Sequence, residues 1–227
     1  MLKVYYDLMS QPCRALLMFL KCNKIPFEHC QVALRKGEHL RDEFTAINPF
    51  KKVPVIEHDG FKLTESVAIM RYLTTQYPVA ANWYPTDPKQ RARVDEYMAW
   101  QHTNLRIFGS MVFQFRVVRP ALAGVQFDPA KVDRWRDDLD KCLSQMEATF
   151  LADTKQFCNG LPDITFADLF AVCEMEQPMA AGYDIFEGHP IAKAYLERVK
   201  YRIGAELYEE THSIARKVRQ SVLSAKL

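Results

Sequence analysis

Val53-Pro54-Val55-Ile56-Glu57-His58-Asp59-Gly60-Phe61-Lys62-Leu63-Thr64-Glu65-Ser66-Val67-Ala68-Ile69-Met70 is the stretch that decides the fold. Its first part, 53–57, reads as a short β-strand. Asp59-Gly60 is a turn dipeptide, and 61–63 resumes β character, so the segment predicts an antiparallel hairpin. Val67, Ile69, Met70, Tyr72 and Leu73 then mark a helix over 65–77. Working upstream, 2–7 is rich in Val and Tyr and predicts a strand. The apolar cluster of 11–22 predicts a buried helix, 26–34 a second strand, and 38–46 a short helix. The order is βαβαββα. The βαβ half demands parallel strands joined by a right-handed crossover, and the hairpin adds antiparallel ones.

Downstream the pattern changes. Residues 78–88 hold three prolines, Pro78, Pro85 and Pro88, and suit a linker. Beyond them only helical periodicity is found. Val94, Tyr97, Met98, Gln101, Leu105, Phe108 and Val112 form one stripe, which predicts a continuous helix from 90 to about 115. Val132, Trp135, Leu139, Cys142, Leu143, Met146 and Phe150 form another. Further helices are predicted near 165–180, 190–201 and 204–224. The expected organisation is an α/β domain over 1–77, a linker over 78–88 and an all-α domain over 89–227.

Composition excludes several classes. The chain has 227 residues, 48% apolar and 26% charged, an ordinary globular balance. Thirty basic residues face twenty-eight acidic ones, so the net charge is +2 and no nucleic-acid partner is expected. No apolar run approaches the ~20 residues that span a bilayer, so no membrane partner is expected either. Met1 to Asp7 has no basic stretch followed by an apolar one, and no secretory leader is expected. The cysteines, Cys13, Cys22, Cys30, Cys142, Cys158 and Cys173, form no CxxC pair and no zinc spacing. They read as reduced thiols, and no metal is expected.

Four local patterns carry physics. Thr165-Phe166-Ala167-Asp168 has the form of a capping box, with Ile164 and Leu169 at the staple positions, and serves folding. Val53-Pro54 opens a strand, where a proline lacks an amide to donate; the residues alone leave its peptide bond trans. Glu65-Ser66 opens a helix, whose first amides can hold an anion or can simply be satisfied locally. Ser10-Gln11-Pro12-Cys13-Arg14 joins the first strand to the first helix. Ser10 either caps that helix or turns its hydroxyl outward near the positive helix end. With Ser10 where redox proteins of this kind carry the first cysteine of CxxC, a dithiol cycle is ruled out.

Taken together, these residues resemble the cytosolic glutathione transferases, and their theta class in particular. The resemblance rests on Asp7-Leu8-Met9-Ser10-Gln11-Pro12-Cys13-Arg14, Lys36-Gly37-Glu38-His39-Leu40, Asn48-Pro49-Phe50-Lys51-Lys52-Val53-Pro54, Leu63-Thr64-Glu65-Ser66-Val67-Ala68-Ile69 and the run from Arg91 to His102. It implies a thioredoxin-like domain followed by a helical one, a homodimer, and a cis bond before Pro54. It implies transfer of glutathione, a co-substrate rather than a cofactor, to small hydrophobic electrophiles such as alkyl halides, epoxides and sulfate esters, and peroxidase action on organic hydroperoxides. A weakly catalytic ligand- or partner-binding member of the same fold is the alternative. Ser10 matches the catalytic serine. Arg106 is the candidate for stabilising the thiolate or an acidic leaving group. Gln11, His39, Lys52, Val53, Pro54, Glu65, Ser66 and Asn104 are the candidates for holding glutathione. Met9, Phe108, Met111 and Phe115 are the candidates for the electrophile pocket. The resemblance implies a cytoplasmic location, while Ala225-Lys226-Leu227 after Ser224 is a variant of a peroxisomal address.

Overall fold

The computed structural model describes residues 1–124, 128–153 and 156–224. Ala225, Lys226 and Leu227 lie outside them. Four strands form one mixed sheet in the order β2-β1-β3-β4: β1 (Leu2–Tyr6), β2 (Glu28–Gln31), β3 (Val55–His58) and β4 (Phe61–Leu63). β1 runs parallel to β2 and antiparallel to β3, with Val4 opposite both His29 and Ile56. β3 and β4 are the hairpin, and Asp59 and Gly60 both take positive φ (50° and 85°) at its tip, as a two-residue hairpin turn requires.

Alternation along β1 sets the layers. Leu2, Val4 and Tyr6 are buried in the main core. Tyr5 points the other way, edge-on to Phe44, beside a small second cluster of Val32, Phe44 and Val55. α1 (Gln11–Cys22) is buried almost along its length, with Leu16, Met18, Phe19 and Leu20 fully enclosed. An apolar surface all round suits a helix sandwiched between a sheet and a second layer. That second layer is α8 (Phe166–Ala180), itself buried nearly throughout. α2 (Asp42–Thr45) and α3 (Ser66–Gln76) complete the α/β half.

The helical half holds α4 (Pro88–Gln101), α5 (Leu105–Phe113), α6 (Arg119–Ala123), α7 (Pro129–Thr149), α8, α9 (Pro190–Ile203) and α10 (Ala205–Ser224). Asp87 caps α4 by accepting from the amides of Lys89 and Gln90. Two expectations are corrected here. The helix foreseen over 90–115 is broken at 102–104, because Asn104 takes a non-helical backbone (φ −123°, ψ −103°) while its Nδ2 donates to Trp100 O at 2.8 Å. A short amide side chain competing for backbone carbonyls ends a helix that apolar spacing alone would continue. After α5 the chain also makes a π-helical turn, Gln114–Val118, which rotates the side chains that follow it up to the end of α6 at Ala123.

The capping box forms as expected: Thr165 Oγ1 accepts from Ala167 N, and Asp168 accepts from Thr165 N at 2.7 Å. The fully buried Asp168 carboxylate does more, accepting also from Cys158 N and from the Tyr195 hydroxyl at 2.6 Å. All six cysteines are free. Among the described residues no helix is long and apolar enough to cross a membrane.

Candidate active site

The site is built around the turn between β1 and α1. Asp7 shapes that turn: one carboxylate oxygen accepts from Met9 N at 2.8 Å, the other from Leu34 N at 2.9 Å, and its carbonyl accepts from Ser10 N. The first bond is the Asx-turn that an aspartate makes with the backbone two residues on. Ser10 follows at the N-cap of α1 with extended backbone, and its hydroxyl makes no bond to the helix amides. Of the two readings of Ser10, the plain cap is therefore set aside. Cys13 beneath it is buried, and burial pushes its thiol up to about 12 against a lowering contact from Ser10. It is a protonated thiol and a poor nucleophile.

Two clefts open beside this turn. The first encloses about 560 Å³ and holds Met9, Ser10, Gln11 and His39 on one side, with Phe113, Gln114, Val117 and Val118 on the other. The second encloses about 200 Å³ and is lined by Lys52, Val53, Pro54, Glu65, Ser66 and Arg106, with Pro12, Asn48 and His102 among its other walls. A larger hollow of about 720 Å³ lies on α7 and the 182–187 loop, and none of the site candidates lines it.

Local structure explains the second cleft. The Val53–Pro54 bond is cis, as the resemblance implied. The buried Asn48 braces the loop before it, donating to Lys52 O at 2.7 Å and accepting from Phe50 N at 3.0 Å. Glu65 is held at φ 62°, ψ 106°, a region that costs a non-glycine residue roughly 1–3 kcal/mol. Its carbonyl nonetheless accepts from Ile69 N and starts α3, which leaves the Ser66 amide at the helix N-terminus facing the cleft. The cleft thus offers a carboxylate, a lysine and helix-start donors to a zwitterionic ligand.

The remaining candidates divide. His39 sits with Ser10 rather than with Lys52, and its Nδ1 is shielded from solvent with no hydrogen-bond partner among the described residues. Gln11 bridges to the helical half, its Nε2 donating to Ser110 Oγ at 2.7 Å. Arg106, the candidate for stabilising the thiolate or an acidic leaving group, lines the Glu65–Ser66 cleft and not the cleft of Ser10. Asn104 lines neither cleft; its amide is engaged by Trp100 O and Thr103 Oγ1. Of the electrophile-pocket candidates, Met9 lines the larger cleft, while Phe108, Met111 and Phe115 do not. Phe108 and Phe115 turn to Trp135 on α7, at ring separations of 6.4 and 6.3 Å. The π-helical turn gives Gln114, Val117 and Val118 the cleft-facing positions instead.

Several residues went unassigned in the sequence. The Asx-turn aspartate, Asp7, carried a readable signal two residues before Met9. His102, Gln114 and Glu174 carried none, because each matters through a contact with a distant segment, while Asn48 acts on its own loop through Phe50 and Lys52. Burial, with the Arg106 charge beside it, pushes His102 down and keeps it neutral. Arg14 is fully buried in α1; its guanidinium donates to Leu8 O, Met9 O, Cys173 O and, at 2.6 Å, Gln177 Oε1. It ties the Ser10 turn to α8.

The comparisons with known proteins agree with this architecture. Residues 2–75 match the family model for the glutathione S-transferase N-terminal domain. Mouse glutathione S-transferase theta-1 is 45% identical over 96% of this chain and 90% of its own length. Human glutathione S-transferase T1-1, solved in its apo form, superposes with a TM-score of 0.92 at 42% identity, covering 97% of this chain and 91% of that one. A human theta-class enzyme, solved with the glutathione conjugate of 1-menaphthyl sulfate, gives a TM-score of 0.93 at 40% identity, covering 100% and 91%. A serine at the head of α1 that does not cap the helix, a cleft beside Pro54 and this degree of likeness over nearly the full length converge: the chain belongs to the theta class of the glutathione S-transferases.

Proposed function

We propose that this transferase joins glutathione to small hydrophobic electrophiles, namely alkyl halides, epoxides and sulfate esters, and turns the same thiolate on organic hydroperoxides. The single observation that carries the reading is Ser10, whose hydroxyl is not spent on capping and borders the larger cleft. Glu65 pairs with the γ-glutamyl ammonium, and Ser66 with the α3 amides takes its carboxylate. The Val53 backbone pairs with the cysteinyl backbone as an added strand would. Lys52 meets the glycyl carboxylate, with His39 reaching it from the other cleft. The apolar wall of Met9, Phe113, Val117 and Val118 receives the electrophile. The 1-menaphthyl sulfate conjugate in the human neighbour supports the sulfate-ester class.

Magnitudes limit what Ser10 supplies. A hydrogen bond to a charged partner is worth roughly 1.5–3 kcal/mol, and the helix end adds about 0.3–1. Together they lower a thiol pKa of about 8.5 by about 2 units. The thiolate fraction at pH 7 rises about 25-fold, while lower basicity costs almost tenfold in intrinsic nucleophilicity. The net gain is a few-fold, so holding sulfur and electrophile in line supplies most of the acceleration.

The deciding experiment is thiol titration of bound glutathione by ultraviolet difference spectroscopy in Ser10→Ala. The bound thiol should titrate about 1–2 units higher, and turnover at pH 7 should fall about threefold while glutathione still binds. An unchanged titration would remove Ser10 from the chemistry.

For the assembly we take the boundaries as 1–77, 78–88 and 89–227, and the enzyme as a cytoplasmic homodimer. Phe50 and Phe61, 66% and 50% exposed on the α/β half, support a partner surface there. Six free cysteines suit a reducing compartment. The relatives lend the peroxisomal reading no support.

A further inference from the structure

Beneath the partition between the two clefts lies a carboxylate that the proposed chemistry does not use. Glu174, on α8, has no solvent exposure. Its Oε1 stands 3.5 Å from Nη1 of Arg106, whose side chain is about one-third exposed and lines the cleft with Glu65 and Ser66. Its Oε2 is enclosed and, among the described residues, makes no hydrogen bond of good geometry. A buried carboxylate with one oxygen unsatisfied is costly, and its one ion-pair partner is a side chain that reaches into the binding cleft.

Packing fixes where Glu174 stands. Pro178, four residues on, has no amide to give to the Glu174 carbonyl. α5 lies directly against that carbonyl at Gly109, where a Cβ would come within 3.0 Å of it. The backbone of Glu174 is therefore pinned to α5 one turn beyond Arg106. The side chain can reach Arg106 without either helix moving.

We propose that Glu174 is a positioning residue for glutathione binding: it holds the Arg106 guanidinium at the floor of the Glu65–Ser66 cleft, with its remaining N–H groups turned toward an anionic group of the tripeptide. The idea rests on the reading of that cleft as the glutathione site. Arg106 then contacts the ligand, and Glu174 acts only through Arg106.

The ionisation of Glu174 gives this a signature. Burial pushes its carboxyl up to about 7, opposed by Arg106 from α5, Arg14 from α1 and a hydrogen-bonding contact from the Gln11 side chain. Tyr97 from α4 and Cys173 on α8 also face it, and burial keeps both protonated. Above pH 7 the carboxylate is charged and grips Arg106; below pH 7 it takes a proton and releases it. His102, pushed down by burial and by the Arg106 charge, lies in the same cleft, so the informative quantity is the part of the pH dependence that Glu174→Gln removes.

The test uses the full-length enzyme and S-methylglutathione, which has no thiol to ionise, with Kd measured by calorimetry from pH 5.5 to 8.5. In the wild type, binding should weaken as pH falls from 8 to 6. In Glu174→Gln it should be weaker by roughly fivefold at pH 8, the worth of about one hydrogen bond, and nearly flat over the part attributed to Glu174. Arg106→Ala should weaken binding by at least as much, and the double variant should be no worse than Arg106→Ala alone. Additive losses, or a Glu174→Gln profile parallel to the wild type, would overturn the positioning role. Unaltered binding in Arg106→Ala with binding lost in Glu65→Ala would overturn this proposal and leave the cleft assignment standing; binding unaltered in both would remove the assignment itself. Thermal melts of each variant separate these outcomes from misfolding. If Glu174→Gln does not fold, Arg106→Lys in an intact Glu174 background reads the same pH dependence with a changed amplitude, and an unchanged amplitude would overturn the proposal.

Discussion

The cleft around Glu65 and Ser66 takes most of its walls from one run of chain, 48–66, whereas the cleft around Ser10 is closed by residues from both halves of the molecule. The first is polar and braced locally, by Asn48 and by the start of α3. The second faces Phe113, Val117 and Val118, which reach it only because α5 packs on α8 and then makes a π-helical turn. A local frame suits a ligand common to every reaction. A wall assembled from distant helices can change with little effect on that frame. The difference teaches that binding of the shared tripeptide and choice of electrophile are separable in this fold, with Arg14 and Gln11 tying the two halves of the molecule together.

The largest expected effect comes from cutting that tie. Arg14→Met removes a buried cation that holds the Ser10 turn to α8 through Cys173 O and Gln177 Oε1. It should cost about 3–5 kcal/mol in chemical denaturation. A loss below about 1 kcal/mol would show that apolar packing alone joins the halves.

The same seam should carry a pH response. His212 is buried on α10, its Nδ1 bonded to Tyr208 O, and burial with the Arg14 charge holds it well below the usual histidine range. The unfolded chain takes up this proton near pH 6.5, so the His212 contribution is full above that pH and is lost as pH falls below it, by about 1.4 kcal/mol per unit. Glu174 pulls the other way: its folded value is raised, so its contribution is lost as pH rises through about 7. The readout is therefore the difference between wild type and His212→Gln in denaturation midpoints from pH 7.5 down to 5. Equal slopes would mean that the histidine is charged in the fold.

Two smaller effects sharpen the contrast between the clefts. Glu65→Ala should raise KM for glutathione by about tenfold, the worth of one charge-assisted bond, and by the same factor for every electrophile. Val118→Ala should leave KM for glutathione within error and shift relative kcat/KM among halides, epoxides and sulfate esters by about fourfold, the worth of a buried methylene. A turnover panel with both variants checks the pair. Substrate-dependent losses in Glu65→Ala, or uniform ones in Val118→Ala, would merge the two clefts into a single functional unit.

The sequence made much of this legible. The helix foreseen over 11–22 is α1 residue for residue, the Asp59-Gly60 hairpin forms, and the Thr165–Asp168 box closes with both of its bonds. These elements answer to period, turn chemistry and capping, all of which act within a few residues. The break at Asn104 and the π-helical turn after Phe113 were not foreseen, because an apolar stripe continues smoothly across both. Nor could local sequence show that the rings of Phe108 and Phe115 lie beside Trp135, a contact with a distant helix.

By itself the sequence determined a βαβαββα half followed by helices, the cysteine-free position at Ser10, and the motifs that mark the family. Short-range forces write such features directly into neighbouring residues. Tertiary structure alone decided that the Ser10 hydroxyl does not cap its helix, that Arg106 enters the cleft of Glu65, and that Glu174 lies buried behind it. Each of those facts depends on which helices are brought within a few ångströms of one another, and that distance is set by packing of the whole core.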